Sequence, residues 1–220
     1  MMHGTVSVAV IAALAGCASF AGATVISDTT FDSADWALRQ SGYGPSGSTS
    51  DAWQVVGGGY TGNARAAGND VVGNGSGIYG ISILMTQSWS GAAPLESLQM
   101  SIRARRQQSL QAFGFAIEQG GNHWIAGYFL NTAAYDLYAL DLTATDFSTP
   151  YGVDPASQPS TPDFSAGAAP IHFGFYVANS STMYGDSTIG YYSDFTVNFV
   201  PAPGVATLLA VAGLRGRRRG

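Results

Sequence analysis

The sequence predicts an all-β protein, an antiparallel β-sandwich placed between two terminal address segments. Three observations carry this. Apolar residues alternate with period two along several runs. Clusters of Gly, Pro, Asn, Asp and Ser separate those runs at short intervals. No run holds a long stripe at the helical period; only residues 133–142, AAYDLYALDL, read equally well as helix or strand. Many short strands joined by turn-rich loops make a sandwich or jelly roll.

The elements justify this in chain order. Residues 1–23 precede the body and read as a signal peptide. Between Val6 and Ala15 only Ser7 is polar, an apolar run of the right length, and Ala21-Gly22-Ala23 supplies the small-x-small pattern for cleavage after Ala23. The n-region holds no Lys or Arg, only His3. A second route is open: Leu14-Ala15-Gly16-Cys17 resembles a lipobox, in which Cys17 would be lipidated. Cleavage after Ala23 removes the only cysteine, so the mature body has no thiol chemistry.

The body is expected over residues 24–200, one domain by length. Residues 78–85 form a first apolar strand. In residues 97–103, Leu98, Met100 and Ile102 point one way, and Ser97, Gln99, Ser101 and Arg103 the other, which describes a half-buried strand. In residues 110–118, Phe113, Phe115 and Ile117 oppose Ala112, Gly114, Ala116 and Glu118. Residues 123–130, 171–178 and 191–199 are aromatic and β-rich. Loops are expected at 57–63, 68–77, 90–94, 119–122, 148–170 and 179–188.

Residues 201–220 form the second address. A proline break at Pro201-Ala202-Pro203 precedes an apolar run, and Arg215, Arg217, Arg218 and Arg219 follow. This order resembles the PEP-CTERM sorting signals of envelope-bearing bacteria, with Pro-Ala-Pro in place of Pro-Glu-Pro. The resemblance implies a C-terminal apolar transmembrane helix, an exosortase-like membrane protease as partner, and transfer of the exported protein to the cell surface. Counted from Val200 to Leu214, the apolar run is shorter than the roughly 20 residues of a full span.

Composition and charge exclude several classes. Of 220 residues only 10% are charged, whereas 46% are hydrophobic and 12% aromatic, which excludes disorder by charge excess. The 29 glycines have no three-residue period, which excludes collagen, and one cysteine excludes a disulfide scaffold. All nine basic residues are Arg. Five of them lie in the body against all fourteen acids, a net charge of −9 there. That argues against nucleic acid as a partner, since phosphate neutralisation drives such binding.

Tests for chemistry come out sparse. Glycoside hydrolysis needs paired carboxylates, yet the body's two glutamates, Glu96 and Glu118, lie in separate segments; Glu118 reads as a solvated strand end. His123 and His172 are isolated, and neither H-E-x-x-H nor C-x-x-C occurs. His172 is expected on the polar face of its strand. There is no G-x-S-x-G elbow. The Arg103, Arg105 and Arg106 cluster reads as a solvated strand end. Aromatic rings that could stack on sugars include Trp53, Tyr60, Trp89, Trp124, Tyr128, Tyr184 and Tyr191. Trp124 is the leading exposed candidate, because it follows the Gly-Gly-Asn-His turn; His123 and Tyr128 flank it.

The run from Thr30-Phe31-Asp32 to Trp36, the segments from Gly57 to Asn63 and from Phe115 to Asn122, and the closing Phe173-Gly174-Phe175-Tyr176 and Asp194-Phe195-Thr196-Val197 are together similar to concanavalin A-like jelly-roll bodies of surface proteins. They also resemble carbohydrate-binding modules whose first and last strands meet. That resemblance implies a structural calcium at Asp32 and Asp194; no other cofactor is implied. The expected function is therefore a non-catalytic, surface-sorted envelope or extracellular-matrix protein, structural or adhesive, with polysaccharide as a partner beside the export machinery. The alternative is a secreted glycan-processing enzyme on the same fold.

Overall fold

The computed structural model describes residues 24–90, 94–181 and 183–202. Eleven strands build it: β1 (Thr24–Asp28), β2 (Trp36–Tyr43), β3 (Thr49–Val55), β4 (Ala64–Val71), β5 (Ser76–Trp89), β6 (Leu95–Arg106), β7 (Ala112–Gln119), β8 (Asn122–Leu130), β9 (Asp136–Leu142), β10 (Ile171–Ser181) and β11 (Asp186–Pro201). Two short 3₁₀ turns, Ala144–Asp146 and Pro155–Ser157, are the only helical pieces among the described residues. No helix there is long and apolar enough to cross a membrane. The signal-cleavage residues Ala21 and Ala23, and Pro203, Arg215, Arg217, Arg218 and Arg219 of the sorting segment, lie outside the described residues.

The strands form two antiparallel sheets. The first runs β3-β4-β11-β6-β9, and β1 also pairs with β11. The second runs β2-β5-β10-β7-β8. The first and last strands therefore meet, with Thr24 opposite Phe199 and Asp28 opposite Phe195. β11 pairs with β4 along its first half and with β1 along its second. A bulge at Ser193–Thr196 separates the halves, and Asp194 there sits at φ 52, a left-handed conformation that Asp tolerates better than bulkier residues. Pro201 closes β11 opposite Leu95.

Period-two patterning places the core. Leu98, Met100 and Ile102 of β6 face Phe113, Phe115 and Ile117 of β7 and Phe173, Phe175 and Val177 of β10 across the sandwich, all buried. Trp36, Phe195 and Phe199 complete an aromatic interior; Phe175 stacks on Tyr192 at 4.6 Å. Toward β3, β4 and β5 the interior turns polar and the sheets approach closely. A Cβ on Gly80 would stand 1.8 Å from the Ser50 hydroxyl, so no larger residue fits. Arg65 is buried there with its Nε donating to Ser82 Oγ at 3.0 Å, above the Trp36 ring. Burial pulls its pKa down to about 10 while Asp28 partly restores it.

One sequence expectation changes and one open alternative resolves. Residues 68–71, expected in a loop, form the end of β4, where Gly68, Asn69 and Val71 are buried; Gly68 and Asn69 pair with both β3 and β11, and Val71 with β11. The Gly, Asn and Asp there satisfy strand pairing, not turn geometry. Residues 136–142 are strand, pairing with β6 at the sheet edge.

Candidate functional site

The outer face of the second sheet holds the richest arrangement. Alternation sends Tyr79, Ile81, Ile83 and Met85 of β5 outward, with Tyr176 and Ala178 of β10, Ala116 of β7 and Ile125 of β8. An outer face is usually wet, yet Ile81, Ile83, Ala116 and Tyr176 are buried. Segment 148–158 lies over this face. Ser148 forms a β-bridge with Ile125 on edge strand β8. Three residues later the Tyr151 carbonyl accepts from Ser41 Oγ on β2, the opposite edge. The chain then returns to β8, where Gln158 Nε2 donates to the His123 carbonyl at 2.8 Å. Gly152 permits the crossing: at φ +96 it lies so close to β2 that a Cβ would stand 2.5 Å from the Gly42 carbonyl oxygen.

Beside this strap opens a groove of about 220 Å³, lined chiefly by Tyr43, Tyr79, Tyr128, Ala178, Asn179 and Ser180. Tyr128 is 69% exposed. Tyr43 meets Tyr151 of the strap edge-on at 4.5 Å, and Tyr79 packs against Tyr176 at 5.7 Å. Tyr176 is fixed by its hydroxyl, which donates to the Gly127 carbonyl at 2.6 Å. Burial raises the Tyr79 hydroxyl's pKa, and the neighbouring Tyr43, Tyr128 and Tyr151 raise it further. Burial also holds Tyr176 well above the usual phenol value, with Tyr79 and Tyr128 adding to it. At neutral pH both are therefore neutral groups that can donate and accept. Together these residues offer flat apolar ring surfaces with hydroxyl and amide groups at their margins.

A second cluster shares the face. Glu118 Oε2 lies 3.1 Å from Arg39 Nε and 2.8 Å from His123 Nε2. Glu118 is thus 8% exposed and paired, not the solvated strand end that the sequence suggests. Its partner Arg39 comes from β2, which no local motif connects to β7.

The sequence-derived candidates separate. Tyr128 lines the groove. His123 is half-buried on the same face, held to Glu118. Trp124 is corrected: it is 2% exposed, its ring lies in the core, and its Nε1 donates to the Pro159 carbonyl at 3.0 Å. Pairing with Ile117 puts Trp124 on the inward parity of β8. Asp32 accepts from the Ala34 amide in a local turn. Asp194 is engaged by Arg103 at 3.4 Å and by the Thr61 hydroxyl. Among the described residues no group of three or more His, Cys, Asp or Glu side chains is placed to hold a metal. His172 is half-buried between inward Ile171 and Phe173. The groove residues that sequence reasoning missed are Tyr43, Tyr79, Asn179 and Ser180, and Tyr151 beside them. One signal was present: residues 78–85 are apolar on both parities, which implies a covered outer face.

No family model matches the chain, and no curated protein matches it. Among solved structures it is similar to the family 11 carbohydrate-binding module of the cellulosomal cellulase Lic26A-Cel5E of Clostridium thermocellum, at 15% identity over 76% of this chain and 88% of that one, with a TM-score of 0.45. It is similar to the family 11 module from Clostridium thermocellum in complex with a β-1,3-1,4-mixed-linked tetrasaccharide, at 15% identity over 80% and 97%, TM-score 0.47. A third is the CBM22-1 xylan-binding domain of Paenibacillus barcinonensis Xyn10C, at 12% identity over 82% and 97%, TM-score 0.41.

Proposed function

We propose that this chain is an exported, non-catalytic glycan-binding protein of the cell surface or extracellular matrix. It is built on a concanavalin A-like jelly roll, and it holds a polysaccharide in the tyrosine groove. The observation that carries this is the convergence of Tyr43, Tyr79 and Tyr128 on one groove with Asn179 and Ser180 at its margin. Ring faces match the apolar faces of pyranoses, and amides and hydroxyls match their hydroxyl groups. At about 220 Å³ the groove is smaller than the roughly 300 Å³ at which enclosed ligand pockets begin. It therefore suits the gripping of part of a longer chain. Among the described residues that line the groove none is Asp or Glu, whereas glycoside hydrolysis needs two carboxylates. Export and surface sorting rest on the two terminal segments of the sequence, with the processing protease and the export machinery as partners.

The test is an oligosaccharide array probed with the full chain, followed by calorimetric titration of the best ligand. Tyr128→Ala is expected to weaken binding about tenfold, the loss of one stacked ring plus its buried area, with Tm unchanged because Tyr128 is largely exposed. Unaltered affinity in that variant would remove the groove from the account.

A further inference from the structure

The opposite face of the sandwich carries an arrangement of different chemistry. Arg103 and Arg105 alternate outward on β6, beside Tyr191 of the central strand β11. Neither is a solvated strand end. Tyr60, from the loop after β3, lies over Arg103 with the guanidinium carbon 4.1 Å from the ring centroid. Arg105 is packed against two rings, Tyr191 at 4.5 Å and Tyr135 at 5.2 Å. The Tyr60 backbone amide donates to Ser193 Oγ at 3.1 Å, which holds its loop, and the Tyr135 hydroxyl donates to the Gly58 carbonyl at 2.6 Å, which fixes that ring. Tyr60 remains 56% exposed.

The charges are unequal. Arg103 has a carboxylate partner in Asp194. Arg105 has none within ion-pair distance among the described residues, although the body carries fourteen acids against five arginines. The Tyr135 hydroxyl oxygen accepts from Arg105, and of the five N–H donors of a guanidinium the others can meet a carboxylate with parallel hydrogen bonds. We infer that the Tyr60–Arg103–Arg105–Tyr135–Tyr191 array is a second binding surface, for a polysaccharide bearing uronic acids: carboxylate on Arg105, sugar ring on the exposed Tyr60 face. Charge complementarity selects this occupant. A nucleic acid would bring a dense row of phosphates to a face with one unpaired cation on a body of net charge −9. A nucleic acid carries a phosphate on every nucleotide, whereas a polysaccharide can space its carboxylates among neutral sugars, each of which brings a face to stack. This surface does not depend on the tyrosine groove, which lies on the other sheet.

The experiment titrates the full chain with polygalacturonate and with its methyl-esterified form. The free acid is expected to bind and to weaken as salt is raised; the ester is expected to bind at least about tenfold more weakly. Arg105→Ala should lose about tenfold for the free acid. Arg105→Lys, which keeps charge and stem and so guards against misfolding, should recover only part of it, since Lys lacks the fork. Tyr128→Ala should leave polyuronate binding intact, which separates this surface from the groove. Equal binding of acid and ester, parental affinity in both Arg105 variants, or loss of polyuronate binding in Tyr128→Ala would each overturn the inference. So would tighter binding of a single-stranded oligonucleotide than of polygalacturonate at equal salt.

Discussion

Replacing Asp28 by Asn probes how the first strand is locked to the sandwich. Its carboxylate is buried at the end of β1 and accepts from the Thr30 amide at 2.7 Å, the Thr30 hydroxyl at 2.6 Å, the Phe31 amide at 3.1 Å and Trp36 Nε1 at 2.6 Å. It is also the anion that supports the buried charge of Arg65. Burial alone would raise its pKa; the hydrogen bonds from Thr30, Trp36 and the Phe31 backbone outweigh this and hold it below the usual carboxylate range. An Asn at this site turns an NH₂ donor toward one of those donors and removes the negative charge that favours the charged form of Arg65. Hydrogen bonds to a charged group contribute about 1.5–3 kcal/mol each, so spoiling about two of the four costs roughly 3–5 kcal/mol. Taking about 3–5 kcal/mol, with about 2–4 °C per kcal/mol for a chain of this size, Tm at pH 7 should fall by roughly 6–20 °C. The pH dependence has a definite sign. The folded carboxyl titrates below its unfolded value of about 3.9, so its contribution is complete above that value. It is lost as the pH falls through the folded pKa. The gap between parent and Asp28→Asn should therefore be full at pH 7 and narrow by pH ~2.5. Scanning calorimetry at both values measures it. A fall in Tm of less than about 3 °C at pH 7, or a gap that stays constant into acid, would refute the lock.

Three further predictions concern single sites. Trp124→Ala should cost about 3–5 kcal/mol in urea denaturation, as deletion of a large buried ring does; unchanged stability with lost glycan binding would return Trp124 to the surface role that its sequence context suggested. Gly152→Val forces a β-branched residue into φ +96 against the Gly42 carbonyl and should destabilise the strap by about 1–3 kcal/mol, read as faster limited proteolysis within 148–158; parental resistance would show that the crossing tolerates a side chain. Millimolar calcium should leave Tm where it is, since Arg103 already balances Asp194; a rise that Asp194→Asn abolishes would instead establish the calcium site.

Much of the fold was legible because one physical signal, period-two burial, dominates it. Residues 97–103 and 113–117 announced both their strands and their inward faces, and the structure agrees at Leu98, Met100, Ile102, Phe113, Phe115 and Ile117. The signal failed at β4, whose sequence ARAAGNDV has small and polar residues on both parities. Its burial comes from tight approach of the sheets and from pairing on both sides, which are tertiary facts. The candidate site was less legible for a related reason. Tyr43, Tyr79 and Tyr128 lie on β2, β5 and β8, and only strand order and the strap at 148–158 bring them to one face. Glu118 meets Arg39 from a strand 79 residues earlier in the chain. Trp124 misled because a turn precedes it; its pairing with Ile117, not its distance from the turn, decides which way it points.

A sugar-gripping groove without catalysis on the outer face of the second sheet is open to one direct test. A tightly bound array oligosaccharide is incubated with the full chain while tyrosine fluorescence and new reducing ends are followed together. A saturable fluorescence change, diminished in Tyr128→Ala, and a sugar recovered intact are expected. A sugar that is cut, or tyrosine emission indifferent to every glycan on the array, would contradict it.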